Sequence, residues 1–279
     1  MTTATLTRPT APLPPATHPA GLGGALSSEW TKIRTVRSTM WSLVAMAGIS
    51  IGLMSLIAWA TMHRWARFEP QEQANLQHNP LEIVLARPVF VGQLVVAVLG
   101  VMVISAEYTT GMIRSTLQAQ PRRLTVLVAK MIVFAALMLV VGEALSFGAF
   151  FIGRQIIAVH IPVSLSDPGV TRAVIGAGLY IAVLGLFSLA FGAILRHTAG
   201  AITAVLGLVL IVSNLTGLLP DSWGHHINAW MPTNAGQLIM QPRQLPDDLL
   251  SPWQGLAVFA GWTALLLIVA AVLFKKRDA

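Results

Sequence analysis

Charged side chains are scarce in this chain, so the places where they gather carry information. The most informative such place runs from Ser105 to Lys130. It holds Glu107, the pair Thr110-Gly111, Arg114, Leu117, Pro121, Arg122-Arg123 and Lys130. A carboxylate followed by basic groups at several helical turns suits ion pairing and docking, not bond-making. Glu143 stands apart as the one acid inside a long apolar run. An ionised carboxylate at bilayer depth costs about 2.5–3.5 kcal/mol on insertion scales, so such an acid marks a substrate contact, a proton site or a partner for a cation, here Arg154. A Glu near the outer end that is protonated or reaches water is the plain alternative.

The machinery of catalysis is missing from the sequence. A phosphate-binding loop needs a Gly followed by Lys and Ser or Thr, so that backbone N–H groups and the ammonium hold phosphate. The lysines are Lys32, Lys130, Lys275 and Lys276, and none follows a Gly. The adjacent pair His225-His226 would point apart on a helix, which does not suit a metal, and no metal site is expected. There is no Cys, hence no thiolate chemistry and no disulfide. The apolar runs lack the paired His, Asp or Ser groups that catalysis within a membrane needs. The expectation is a chain with no catalytic residues and no cofactor of its own.

The elements that must position these residues are membrane helices. The composition is 55% hydrophobic and 10% charged, with a mean hydropathy of +0.71, whereas soluble domains carry about 25% charged residues. A hydrocarbon core about 30 Å thick needs about 20 apolar residues of helix. Runs of that kind predict six spans, roughly 40–62, 88–106, 127–152, 173–195, 199–219 and 254–274. The fold class is therefore an all-α membrane protein. Gly48/Gly52 and Gly178, Gly185 and Gly192 offer small faces on which such helices pack.

Six spans put both termini on one side. The loops of that side carry twelve of the Lys and Arg residues against six on the other, which makes it the cytoplasmic side by the positive-inside rule. Trp41, Trp59, Trp65, Trp223 and Trp253 fall near span ends, where indoles favour the headgroup region. The net charge of +7 gathers at span ends, which fits an anionic leaflet better than nucleic acid. A multi-pass protein of the cell membrane is expected.

Residues 1–23 are rich in Pro, Thr and Ala and read as a disordered cytoplasmic tail ahead of the 24–279 membrane domain. Residues 24–38 place Leu26, Trp30, Ile33 and Arg37 at helical spacing. Ser27 or Ser28 serves as a cap, and Glu29, Lys32 and Arg34 lie on other faces. This predicts an amphipathic helix on the inner leaflet, with Trp30 and Ile33 in lipid and the basic groups at phosphates. The fourth and fifth spans are joined only by Arg196-His197, a tight hairpin. In the last outer segment Ile227–Trp230 and Asn234–Met240 are candidate short helices, the second capped by Thr233 or Asn234.

Between the second and third spans, Thr110-Gly111 makes a turn. Ile113, Leu117 and Leu124 give a short helix one apolar side, and Pro121 stops it. A short helix pinned between two spans passes a push from a cytoplasmic partner into both. Here the chain resembles the ABC-2 family of ABC transporter permeases. Glu107, Thr110-Gly111, Leu117, Pro121, Arg123 and Lys130 follow the family's order, as do Glu29-Trp30-Thr31-Lys32 with Arg34 and Arg37, and Met231-Pro232-Thr233-Asn234-Ala235-Gly236. The resemblance covers about residues 25 to 275.

The resemblance implies a half-transporter of an ATP-driven exporter that pairs with a second permease copy, homo- or heterodimeric. A separate ATPase, holding ATP and Mg, would dock against a cytoplasmic coupling helix at about 108–120 and the interfacial helix at about 24–38. The coupling residues would then be Glu107, Thr110, Gly111, Leu117, Pro121, Arg123 and Lys130, with Trp30, Lys32 and Arg34 from the first helix. Small helices before the last span would lie near the exit gate. A secondary transporter or channel is the alternative. It calls for several polar or broken spans and an internal repeat, whereas one intramembrane acid and no clear repeat are present.

The absence of Cys makes the orientation directly testable. Single cysteines at Gln73, Asp167 and His226 are expected to react with an impermeant thiol reagent in intact cells, and cysteines at Ser28 and Gln118 are not. The opposite labelling pattern inverts the topology.

Overall fold

The computed structural model describes residues 21–120 and 122–276. Most of the expected tail, residues 1–20, and Pro121 lie outside the described residues. The described residues form helices joined by turns and loops, with no strand. Six helices are long and apolar enough to cross a membrane: α2 (Arg37–His63), α4 (Glu82–Thr109), α6 (Arg123–Ile157), α7 (Val170–Leu195), α8 (Thr198–Leu218) and α11 (Pro252–Lys276). They coincide with the six expected runs and extend most of them by a few residues. Polar first and last turns continue a helix that the apolar window had already ended.

The connections carry their own short helices. α1 (Leu22–Thr35) precedes α2 and is separated from it by Val36, whose ψ of 93° breaks the helical path. It starts at Gly21 with no side-chain cap, so Ser27 and Ser28 lie inside the helix and do not begin it. α3 (Pro70–His78) opens with Glu69 and Glu72 in a capping box and Pro70 in its first turn. α5 (Met112–Ala119) follows a turn at Gly111, whose φ of +71° favours glycine over any side chain. Between α7 and α8, Arg196 adopts φ +53° and the Nδ1 of His197 accepts from the Gly200 N–H at 3.0 Å, closing the expected two-residue hairpin.

Two further helices precede the last span. α9 (Asp221–Ala229) begins before the expected Ile227. α10 (Pro232–Gln237) starts with Pro232 in its first turn after Met231, not with a Thr233 or Asn234 cap, and ends in a 3₁₀ turn at Leu238–Met240. The side chains expected to cap are used elsewhere. The Thr233 hydroxyl bonds the Ser213 hydroxyl at 2.7 Å, and Asn234 Nδ2 donates to the Ser213 carbonyl at 3.0 Å. Thr233, Ala235 and Ile239 are fully buried, so α10 and its 3₁₀ turn form a wedge packed between α7 and α11.

α7 is the central helix. Its most apolar window is 67% buried, against 22% for α8 and 28% for α2 and α11. Those three expose Leu218, Ile211, Leu56 and Ile268, which suits helices facing lipid. α7 approaches α4 and α6 over glycines. A Cβ on Gly100 of α4 would lie 2.6 Å from the Gly185 carbonyl oxygen and 2.7 Å from Ser188 Cβ. A Cβ on Gly142 of α6 would lie 2.9 Å from the Gly178 carbonyl oxygen. The glycines Gly178, Gly185 and Gly192 thus pack as expected, whereas Gly48 and Gly52 face open space. Phe134, Tyr180, Phe187 and Phe259 fill the core around this seam.

The seam predicts an asymmetry between glycines. Gly100→Leu is expected to lower the thermal midpoint of the purified protein by forcing α4 off α7, at a cost of about 1–3 kcal/mol or more. Gly48→Leu is expected to stay within about 0.5 kcal/mol of the parent. Equal midpoints for the two variants would deny the close approach.

Candidate functional site

The site is built where four elements converge on the side of the chain termini. Glu29 and Lys32 stand three residues apart on α1, so they share one face of that helix. Glu107 comes from the last turn of α4 and Lys130 from the third turn of α6. Lys130 Nζ donates to Glu29 Oε2 at 2.6 Å and to Glu107 Oε1 at 2.9 Å. Lys32 Nζ donates to Glu29 Oε1 at 2.7 Å and to Glu107 Oε1 at 2.9 Å. The side chains of Lys130, Glu29 and Glu107 are 3%, 5% and 6% exposed, and that of Lys32 is 26% exposed. Two ammonium groups and two carboxylates make a neutral quartet, which is how four charges survive burial.

The turn at Gly111 folds α5 back beside this quartet. Ile113 is buried, Leu117 packs on the core, and Lys32 Nζ reaches the Thr116 hydroxyl at 3.4 Å. A second tie joins the α7–α8 hairpin to the end of α4. The Arg196 guanidinium sits 4.8 Å from the centre of the Tyr108 ring, and the Thr198 hydroxyl donates to Ser105 Oγ at 2.9 Å. The quartet therefore links α1, α4 and α6 directly and α5 through Thr116, and the hairpin is tied beside it. A cleft of about 490 Å³ opens between α1 and α5, lined by Ser28, Glu29, Lys32, Met112, Ser115 and Thr116.

Burial opposes the charge on Lys32, yet hydrogen bonds to Glu29 and Glu107 and their Coulomb attraction outweigh it. Its pKa lies above the ordinary lysine value. A raised lysine pKa contributes stability that is complete below the unfolded value, near 10.4, and is lost as pH rises through the folded one. The pair is thus fully engaged at neutral pH. Three of the four carboxylate oxygens are held by ammonium groups, and Glu107 Oε2 is buried with no hydrogen-bond partner; the arrangement can hold the helices together.

Of the residues singled out in the sequence, Glu107, Lys130 and Lys32 meet in the quartet, and Leu117 packs beneath it. Thr110 donates its hydroxyl to the Ala106 carbonyl at 2.8 Å, and Gly111 supplies the turn. Arg123 opens α6, and Pro121 lies outside the described residues. Trp30 and Arg34 are exposed on the outer faces of α1 and take no part in the cluster. The expected orientation of α1 is corrected in one respect: its protein-facing side carries Ala25, Glu29 and Lys32, not a lipid-only apolar stripe with lysine at phosphates. Glu29, Thr116, Tyr108 and Arg196 were not recognised as site residues. The Glu29–Lys32 spacing was the available signal, but it fixes no partner 75 or 101 residues away.

Glu143 lies about 20 Å along α6 from Lys130, at 1.5 Å per residue. Its carboxyl group packs over Gly178 of α7, and its Oε2 is buried with no hydrogen-bond partner. Of the three roles the sequence leaves open for Glu143, the pairing with Arg154 is not formed. The Arg154 guanidinium instead sits over the Phe151 ring at 5.9 Å, because both side chains project from adjacent turns at the helix end.

The chain matches no protein-family model, and no curated protein is significantly similar to it.

Removing one member of a buried charge network leaves the others uncompensated and typically costs about 3–5 kcal/mol. Lys130→Met is therefore expected to lower the thermal midpoint strongly, since it leaves two carboxylates to share the single Lys32 ammonium. Arg34→Ala, on the exposed face of the same cluster's helix, is expected to be neutral within about 0.5 kcal/mol. An unchanged midpoint in Lys130→Met would mean that the quartet does not hold these helices.

Proposed function

We propose that this chain is the membrane-spanning permease subunit of an ATP-driven ABC exporter, working as a homo- or heterodimer with a separate ATPase that holds ATP and Mg. The observation that carries the reading is the quartet. The residues marked by the ABC-2-like pattern, Glu107 and Lys130, are joined by ion pairs to Glu29 and Lys32 of the other segment with that pattern. In this reading the terminal side is cytoplasmic, and the cleft between α1 and α5 receives the ATPase. Trp30, Arg34, Thr110, Gly111 and Arg123 complete the contact region. A displacement of α1 or α5 reaches α4 and α6 through charges that cannot separate cheaply at low dielectric.

A secondary transporter or channel remains the second reading. It is favoured by Glu143, an intramembrane acid whose Oε2 has no protein partner. In that case Glu143 would titrate or contact the cargo, and no ATPase would be required.

Cysteines placed singly at Ser28 and Ser115, which line the cleft, test the assignment in a chain that has none of its own. Both are expected to crosslink to a co-produced ATPase subunit encoded beside this chain. ATP hydrolysis is expected from the complex and not from the chain alone. Transport by the chain alone in vesicles, driven by an ion gradient without ATP, would overturn the exporter reading in favour of the second.

A further inference from the structure

A second cavity, of about 400 Å³, opens at the opposite end of the bundle from the termini, between α2 and the first turns of α4. That size lies within the usual range for ligand sites, about 300–1,000 Å³. Leu53 and Ile57 of α2 and Phe90 of α4 form its apolar wall, Glu82 and Arg87 are its charged members, and Gln237 of α10 adds an amide.

The arrangement of polarity along the bundle is informative. α2 rises to His63, so Ile57 and Leu53 lie about 9 and 15 Å below its end. α4 descends from Glu82, so Phe90 lies about 12 Å below it. Charges thus stand at the rim and apolar surface runs down from them, the same order of polarity as one leaflet of a bilayer. The chain leaves this wall uncovered, with Leu53 42% and Phe90 49% exposed.

The rim pair is loosely made. Arg87 Nη2 and Glu82 Oε1 are 3.5 Å apart, and the two side chains are 41% and 51% exposed. Each charge retains open directions for a second partner. A head of one sign would meet one of them and be repelled by the other, while a head carrying both signs meets each with its opposite. The Gln237 amide donates to the Tyr180 hydroxyl at 3.4 Å, which in turn donates to Gln93 Oε1 at 2.8 Å. Tyr180 and Gln93 are both buried, so the cavity lies one side chain from the centre of the bundle.

We infer that this cavity binds a zwitterionic amphiphile, its head between Glu82 and Arg87 and its hydrocarbon chain along Leu53, Ile57 and Phe90. The site does not depend on whether the chain moves what it binds, nor on an ATPase.

The test uses the full chain in nanodiscs of an uncharged glycolipid, doped with an alkylphosphocholine that carries a photoactivatable group in its tail. Labelling is expected to concentrate on residues 53–57 and 86–91. Unlabelled alkylphosphocholine should compete, and alkyl maltoside, alkyl sulfate and alkyltrimethylammonium of equal chain length should compete poorly. The double variant Glu82→Gln/Arg87→Gln is expected to reduce that labelling about fivefold, the scale of one modest ion-pair contribution. The exchanged pair Glu82→Arg/Arg87→Glu is expected to retain it, which separates loss of charge from loss of fold. A two-tailed phosphatidylcholine probe that labels equally identifies the occupant as bilayer lipid, and one that does not identifies a free single-chain amphiphile; the site stands in either case. Labelling spread over all exposed spans, equal competition by the uncharged or singly charged amphiphiles, or unchanged labelling in the double Gln variant would overturn the proposal. So would efficient crosslinking between two copies through a cysteine at Ile57 with the probe excluded, since a second copy would then fill the cavity.

Discussion

Four charges clustered at the terminal end of a lipid-facing bundle, three of them buried, constrain everything built around them. In a medium of low dielectric neither Lys130 nor Glu107 is tolerable alone, and the partners that neutralise them come from helices far apart in sequence. α1 has little apolar surface with which to hold itself against α6, and Glu29 and Lys32 supply the attachment. Because Glu107 Oε1 is shared by both ammonium groups, neither lysine shifts without disturbing the other's bond. Such a cluster behaves as one unit. It converts four separately marginal elements into a joint.

The middle of the bundle is held by a different force. Between apolar helices in lipid there is no gain from excluding water, so close contact must provide the attraction. α7 meets α4 at Gly100 and α6 at Gly142, where backbones approach within the space a methyl group would occupy. Dispersion contacts and the fit of Phe134, Phe187 and Phe259 around this seam keep α7 in the centre. The Arg196–Tyr108 contact and the Thr198–Ser105 hydrogen bond tie the α7–α8 hairpin to the end of α4.

At the far end the packing is less complete. The wedge formed by α10 and its 3₁₀ turn fills the space between α7 and α11, and Gly236 admits the Phe259 and Tyr180 rings against its backbone. Beside the wedge, α2 and α4 diverge and leave the cavity at Glu82 and Arg87. One end of the chain thus holds an ionic cluster beside one cleft, and the other holds a cavity with charges at its rim.

The sequence alone determined the number and position of the spans, since the length of an apolar run against the thickness of a bilayer needs no knowledge of partners. It determined the turn at Thr110-Gly111, the short helix after it and the two-residue hairpin at Arg196-His197, because each rests on local backbone chemistry. Glu107 and Lys130 drew notice for a similar reason: charge next to apolar runs is legible in one dimension. Only the tertiary structure decided that they pair with Glu29 and Lys32, that α1 turns its acidic face inward, and that Glu143 rests over Gly178 and not beside Arg154. It also decided that Gly100 and Gly142, and not Gly48, sit at close approaches. Helical periodicity fixes which residues share a face but not which face meets which neighbour. That choice is made by the lowest-energy packing of all the helices at once, and there a buried charge finds its counterion or goes without.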